Sequence, residues 1–292
     1  MRVKRVPGIF DFRFWILDWA RREASCNPKS KIQNPKFLRA CFSVLFLILS
    51  APRDLWAFGF SVEPTRAELS IPAGKRRGQT LTVRNAKPDE AIHLKIYARD
   101  VLYLPEGRIE FPPAGSTDWS CASWIQMVPE ELDVPAGASR DVRISVIVPP
   151  DATGGRYAMV FFETGASYAT EGIGVNFRVG ALIETVVRGT ERREMKLKDM
   201  MVATPSDAEV SLFNNGNILI RPSGQVKVFD AGGKKVAQIP FNPIMLGVFP
   251  KTLRKITTKL DQPLPPGPYR FRVEVDYGVR TLLVGERSFE VP

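Results

Sequence analysis

The sequence predicts an all-β chain of two immunoglobulin-like β-sandwich domains behind an N-terminal leader. Three observations lead there. From Phe60 onward, short runs rich in β-branched and aromatic residues alternate apolar and polar with period two. Proline and glycine turn signals separate those runs, and 24 prolines in 292 residues exceed the usual ~5%. Beyond the leader, no stretch sustains a 3.6-residue apolar period. At roughly 150 residues per domain the length allows two domains, each large enough to bury its own core without staples.

The leader comes first. Lys36 and Arg39 precede an apolar run from Ala40 to Ala51, followed by Pro52-Arg53-Asp54 and Leu55-Trp56-Ala57. A basic flank, a short apolar stretch, a polar break and a small residue are the grammar of a secretory signal. About 12 residues at 1.5 Å rise reach only about 18 Å, short of the ~30 Å hydrocarbon layer. Cleavage after Ala57 is therefore expected, with an uncleaved membrane anchor as the alternative. Residues 1–35 precede the signal and echo Asn27-Pro28-Lys29 in Asn34-Pro35-Lys36; they read either as a mis-called upstream extension, with the true start near residue 36, or as a disordered stretch.

The first domain, 58–189, holds seven expected strands: Val62–Ile71, Thr80–Asn85, Ala91–Leu104, Trp124–Val128, Asp141–Val148, Arg156–Thr164 and Ile173–Val187. Between them stand Pro72-Ala-Gly74, Ala86-Lys-Pro-Asp89, Pro112-Pro113, Pro135-Ala-Gly137, Pro149-Pro150 and Gly154-Gly155. Seven short strands in about 130 residues make an immunoglobulin-like pattern. The second domain, 190–292, opens after the polar break Gly189–Glu194. Its expected strands are Met195–Ala203, Ala208–Phe213, Gly224–Phe229, Leu253–Leu260, Tyr269–Asp276 and Thr281–Val291, with hairpin turns at Asp230–Gly233 and Asn214–Asn217.

The residues available for chemistry are few. One histidine and three cysteines exclude multi-histidine and four-cysteine zinc sites, and leave His93 alone for any imidazole chemistry. Only Cys121 lies beyond Ala57, so no intrachain disulfide is expected in the exported part. Of the net charge of +10, residues 1–57 hold +7 from 11 Lys and Arg against 4 Asp and Glu. The basic excess is thus mostly leader, and neither Lys75-Arg76-Arg77 nor Arg192-Arg193 is interleaved with aromatics as a nucleic-acid surface would be. Gly172-Ile-Gly174 lacks the third glycine, strand and helix of a dinucleotide loop. The adjacent acids Glu130-Glu131 and Asp89-Glu90 do not converge on a substrate. No enzyme activity, cofactor or metal is expected.

The segments Phe60-Ser-Val-Glu-Pro-Thr-Arg66-Ala-Glu-Leu, Leu81-Thr-Val-Arg-Asn85, Trp124–Pro129 with Pro135-Ala-Gly137, Arg143–Val148, and Asp276-Tyr277-Gly278 together resemble the periplasmic chaperones of pilus and fimbrial assembly. The resemblance covers 58–292. It implies a periplasmic, non-enzymatic chaperone that lends an edge strand to a secreted pilin-like subunit lacking one of its own, with an outer-membrane assembly platform as a further partner. Nucleic acid is not an expected partner, and the membrane is one only through an uncleaved leader. A cell-surface structural or adhesive module held by that leader is the alternative.

The lent strand needs one apolar row. Ile173, Val175, Phe177, Val179, Ala181, Ile183, Thr185 and Val187 share one strand face, while Asn176, Arg178, Gly180 and Glu184 fall on the other. The same row serves equally to cover the strand's own core, so two readings stay open: an ordinary last strand, or one whose beginning (Ile173, Val175, Phe177, Val179) is lent. Gly165–Gly172 reads as the mobile loop preceding it. By resemblance Arg66 anchors the partner's terminal carboxylate, with Arg178 as its second cation unless the register puts Gly180 there. Asp276 is expected to bind Arg188 and to fix the angle between the domains.

Overall fold

The computed structural model describes residues 59–165, 169–170, 173–174 and 176–291. The expected leader, 1–57, and Val175 lie outside the described residues. The described chain is built of strands throughout, with one short 3-10 turn at Ala122–Trp124.

The first thirteen strands are β1 (Phe60–Glu63), β2 (Arg66–Ile71), β3 (Arg76–Asn85), β4 (Ile92–Arg99), β5 (Leu102–Tyr103), β6 (Ile109–Glu110), β7 (Ile125–Val128), β8 (Glu131–Val134), β9 (Ser139–Ile147), β10 (Gly155–Thr164), β11 (Ala169–Thr170), β12 (Ile173–Gly174) and β13 (Arg178–Val187). Sheets ordered β1-β3-β9-β7 and β2-β13-β10-β4-β8 enclose the first core. Alternation drives this: Leu81 and Val83, Val142, Ile144 and Val146, and Leu94 and Ile96 all turn inward and are buried. Each such aliphatic side chain contributes about 1.5–3 kcal/mol on full burial.

Three expected strands are divided. Val62–Ile71 becomes β1 and β2 because Pro64 cannot donate to a ladder, and the chain changes sheets there: β1 pairs with β3, β2 with β13. Ala91–Leu104 breaks at Asp100, whose buried carboxylate accepts from the Gly115 N–H, the Thr117 N–H and hydroxyl, and the Ser120 hydroxyl. Four donors to one carboxylate organise the 113–120 loop, a demand incompatible with continuing the strand. The single strand expected over Ile173–Val187 is likewise divided: β12 pairs with β11 as a separate hairpin, and β13 begins only at Arg178. The expected loop 165–172 lies partly outside the described residues.

The second set comprises β14 (Met195–Thr204), β15 (Asp207–Asn214), β16 (Ser223–Asp230), β17 (Lys235–Phe241), β18 (Leu253–Lys259), β19 (Gly267–Asp276) and β20 (Leu283–Val291). Sheets β14-β15-β18 and β17-β16-β19-β20 enclose a second core that includes Val210, Leu212, Val226, Val228, Phe271, Val273 and Val275. Strand β17 is absent from the sequence reading because Lys235, Gln238 and Pro240 dilute its apolar row. It is an edge strand, where proline is tolerated. The turn at Asp230–Gly233 forms as expected, Gly233 in the left-handed region at φ 79° donating to the Asp230 carbonyl. The segment Asn214–Asn217 is not a hairpin turn, since β15 and β16 belong to different sheets. Instead the buried Asn214 amide donates to the carbonyls of Ile218 and Val248.

A third apolar cluster joins the two sets. Val101, Tyr157 and Leu182 from the first meet Phe249 from the second, with Trp119 stacked on Phe249 at 5.5 Å and an interplanar angle of 10°.

Candidate functional site

Strand β13 runs antiparallel to β10 on one side and parallel to β2 on the other, but the two ladders differ in extent. With β10 the register runs from Arg178 to Val186; with β2 it runs only from Leu182, opposite Arg66, to Val187. Arg178–Ala181 is therefore hydrogen-bonded to a strand on one side alone, although β1 passes within 8 Å of β13. The Thr164 N–H donates to the Phe177 carbonyl, so residues 177, 179 and 181 direct their peptide groups at β10. Leu182 and Arg188 direct theirs the other way, donating to the carbonyls of Thr65 and Ile71. By that alternation the peptide groups of Arg178 and Gly180 face the side where β2 has not yet begun.

Of the expected lent row, Val179 packs against the first core and Phe177 is half-buried, its N–H held by the Thr164 hydroxyl at 2.9 Å. Farther along the same row Ala181, Ile183 and Val187 are core residues of the first sandwich. Ile173 lies on the β11–β12 hairpin.

On the opposite face, Arg178 lies over the rings of Phe161, at 4.4 Å, and Phe111, at 5.9 Å. Phe111 meets Phe161 edge-on, with ring centroids 4.9 Å apart. Tyr97 donates its hydroxyl to the Glu163 carboxylate. Burial, then that bond, raise its pKa above the ordinary 10.0, while Arg178 pulls the other way. Gly180 is what lets these groups close in. A Cβ there would stand 2.8 Å from Met159 Sδ and 2.9 Å from Phe161 Cε1. Among the described residues Arg178 makes no ion pair within 4.0 Å.

The structure does not bring Arg66 and Arg178 together. Arg66 stands opposite Leu182, four residues along β13 from Arg178, a separation of about 13 Å at 3.3 Å per residue. Arg66 instead joins a quartet of alternating charge. Its Nε lies 3.1 Å from Glu68 and 3.9 Å from Glu184, and Arg221 of the second set bonds Glu184 and stands 4.0 Å from Glu68. Burial lowers the pKa of Arg221, but the hydrogen bond and charge of Glu184, with the charge of Glu68, outweigh it and leave it raised. The side chain of Glu184 is only 7% exposed, against 51% for Arg66. Sequence reasoning placed Glu184 merely on a strand face and missed Arg221. The available signal was a carboxylate in the middle of Ala-Leu-Ile-Glu-Thr-Val-Val, where burial demands a cation; nothing local marks Arg221.

Nor are Arg188 and Asp276 brought together. The Arg188 guanidinium donates to the Ser70 hydroxyl and carbonyl at 3.3 and 3.2 Å, which fixes it to β2. Asp276 accepts from the Gly278 N–H at 2.8 Å and closes its own turn. The two sets are joined through Asn217 instead. Its carbonyl accepts from the Gly155 N–H at 2.7 Å, its amide donates to Thr190, and its side-chain oxygen accepts from the Arg192 N–H. Nearby the Tyr157 hydroxyl accepts from the Leu219 N–H.

No protein-family model and no curated protein matches this chain. Among solved structures it is similar to the class 5 fimbriae chaperone CfaA, at 15% identity over 78% of this chain and 98% of that one, with a TM-score of 0.46. It is similar to the E. coli chaperone DraB at 15% identity, over 80% and 96% of the chains, with a TM-score of 0.41. A chain of the CsuC-CsuE chaperone-tip adhesion subunit pre-assembly complex from Acinetobacter baumannii is 12% identical over 78% and 97%, at 0.42.

Proposed function

We propose that this protein is an exported, non-enzymatic chaperone that pairs the open edge of its first sandwich, domain 58–189, with a segment of a secreted β-rich subunit. The observation that carries the reading is the mismatch between the two ladders of β13. Four residues, Arg178–Ala181, extend beyond the start of β2 while still fully paired to β10. A rigid strand backed on one side by a sheet and open on the other is a template for an added strand. The half-buried Phe177 at its start supports the companion idea that the preceding row, from Ile173, is lent to the partner's groove.

Arg66 is the proposed anchor for the partner's chain end, with Arg221 rather than Arg178 as the second cation within reach of a shared carboxylate. A guest carboxylate there has to displace Glu68, the exposed acid 3.1 Å from Arg66.

The test is amide hydrogen exchange on the protein alone and with a pilin-like secreted subunit. The amides of Arg178 and Gly180 exchange fast in the free protein while Leu182 is protected, and both become protected in a soluble one-to-one complex. A complex that leaves those two amides unprotected overturns the reading. So does the failure of every such subunit to associate.

A further inference from the structure

The β5–β6 hairpin leaves the first sandwich and reaches the second. Its root is pinned: the Asp100 N–H donates to the Pro112 carbonyl at 3.1 Å, and Trp119 Nε1 donates to the Val101 carbonyl at 3.1 Å. Its tip satisfies itself, the Leu104 N–H donating to the Arg108 carbonyl and the Gly107 N–H to the Leu104 carbonyl. Among the described residues one hydrogen bond ties it to the second sandwich, from the Lys255 N–H to the Pro105 carbonyl at 2.9 Å. Beside that bond Tyr103 meets Phe249 edge-on, with ring centroids 4.8 Å apart.

Tyr103 also covers a cation that has no anion. Arg254 is only 4% exposed, and its guanidinium lies 4.6 Å from the Tyr103 ring. Among the described residues it makes no ion pair, its Nε has no hydrogen-bond partner, and its Nη1 donates to the Gly247 carbonyl. A buried cation without an anion is costly, and an aromatic ring offsets only part of that cost. Burial accordingly pulls its pKa below the ordinary arginine value, while Tyr103 opposes. Lifting the hairpin returns the guanidinium to water, so this contact is held by little and opposed by much. The hairpin's other limb ends at the open edge. Phe111 follows β6, meets Phe161 edge-on and lies under the Arg178 guanidinium, and Phe161 stands opposite Gly180 in the ladder.

Resting on the reading above for what the edge does, we propose that β5–β6 is a strap that opens from the second sandwich while both cores stay folded, and that its closure stiffens the β13 edge through Phe111. Opening of this kind breaks few contacts and leaves the ladders of both sandwiches intact. Tyr103 and the Lys255–Pro105 bond hold the strap down; the desolvated Arg254 works against them. A strap that is down packs Phe111 on Phe161 and backs the four residues that extend beyond β2. A lifted strap removes that backing, and the edge loosens against β10.

Amide exchange read by nitrogen-15 NMR on the full chain supplies two reporters. The Lys255 N–H faces away from β15, so the strap protects it, whereas by alternation the Ile256 N–H faces β15 and reports the second core. The Val179 N–H, directed at β10, reports the edge. In the wild type the Lys255 amide is expected to exchange about tenfold or more faster than that of Ile256. Arg254→Met, which keeps length and removes the charge, is expected to slow Lys255 about fivefold. Tyr103→Ala is expected to speed both Lys255 and Val179 about threefold or more and to leave Ile256 unchanged. A Lys255 amide as slow as Ile256 in the wild type overturns the strap, as does an Arg254→Met protein in which Lys255 is not slowed. An unchanged Val179 in Tyr103→Ala overturns the coupling to the edge. Should Arg254→Met fail to fold, the wild-type comparison and Tyr103→Ala still decide. These measurements use the chain alone: if they fail while a subunit still protects Arg178 and Gly180, only the strap falls, and if they succeed while no subunit binds, the chaperone reading falls instead.

Discussion

Glu184 is a residue whose removal this structure makes costly. Its carboxylate is 7% exposed and bonded to Arg221, itself 21% exposed. Taking away one partner of such a pair leaves the other desolvated and uncompensated, at about 3 kcal/mol. Glu184→Gln is therefore expected to lower stability by about 2–3 kcal/mol in urea unfolding. Arg66→Ala, at 51% exposure, is expected to change it by less than ~1 kcal/mol. The two variants thereby separate a structural charge from a binding one: Arg66→Ala weakens the subunit complex, whereas Glu68→Gln, by freeing Arg66, strengthens it. A pull-down in which Arg66→Ala binds as tightly as wild type removes Arg66 from the anchor. Tyr157→Phe leaves the Leu219 N–H without its acceptor and is expected to cost about 1–2 kcal/mol. Cys121 is fully buried, and burial pushes its thiol pKa well up; alkylation of the native protein at pH 8 is expected to proceed only as fast as the protein unfolds.

At the scale of elements, β19 shows how tightly ladders and charges constrain each other. Gly224 on β16 faces it so closely that a Cβ would lie 1.9 Å from the Glu274 carbonyl. Gly224→Ala is expected to separate the two strands and lower the midpoint of thermal unfolding by more than 5 °C. On the outer face of the same sheet Glu274 bonds Lys227 at 2.7 Å and Arg272 at 2.8 Å. The Lys227 bond, then that of Arg272, hold its pKa below the ordinary 4.5 despite an opposing desolvation. A carboxyl depressed in the folded state contributes stability that is present above 4.5 and disappears as the pH falls through the folded value. Glu274→Gln is accordingly expected to flatten the stability profile below pH 4.5 and to leave its slope near pH 7 unchanged, as read by denaturant midpoints across pH. Strand β13 belongs to this scale too. One apolar row was legible as a strand from Ile173 to Val187, yet the row cannot tell where pairing stops, and β13 starts at Arg178, where its ladder with β10 begins.

At the scale of the whole molecule, the described residues form two cores joined by a third cluster. Each set supplies its own inward rows, and Phe249 of the second is inserted among Val101, Tyr157 and Leu182 of the first. The described residues hold one cysteine, free and buried, so cohesion comes from burial and ladders. Thermal unfolding is expected at the same temperature with and without a reductant; a shift of several degrees would reveal a bridge.

Much of this was legible in the amino-acid order alone. Period-two alternation and the Pro-Gly punctuation determined that the chain is all-β and where most strands fall. That succeeds because side-chain alternation is local: each residue's face follows from its neighbour's. Only the tertiary structure decided that β1 and β2 serve different sheets, that Arg66 meets Glu68 and Glu184 rather than Arg178, and that Arg188 and Asp276 each satisfy themselves nearby. Those facts depend on which strand lies beside which, and on registers set by packing residues far apart in the chain.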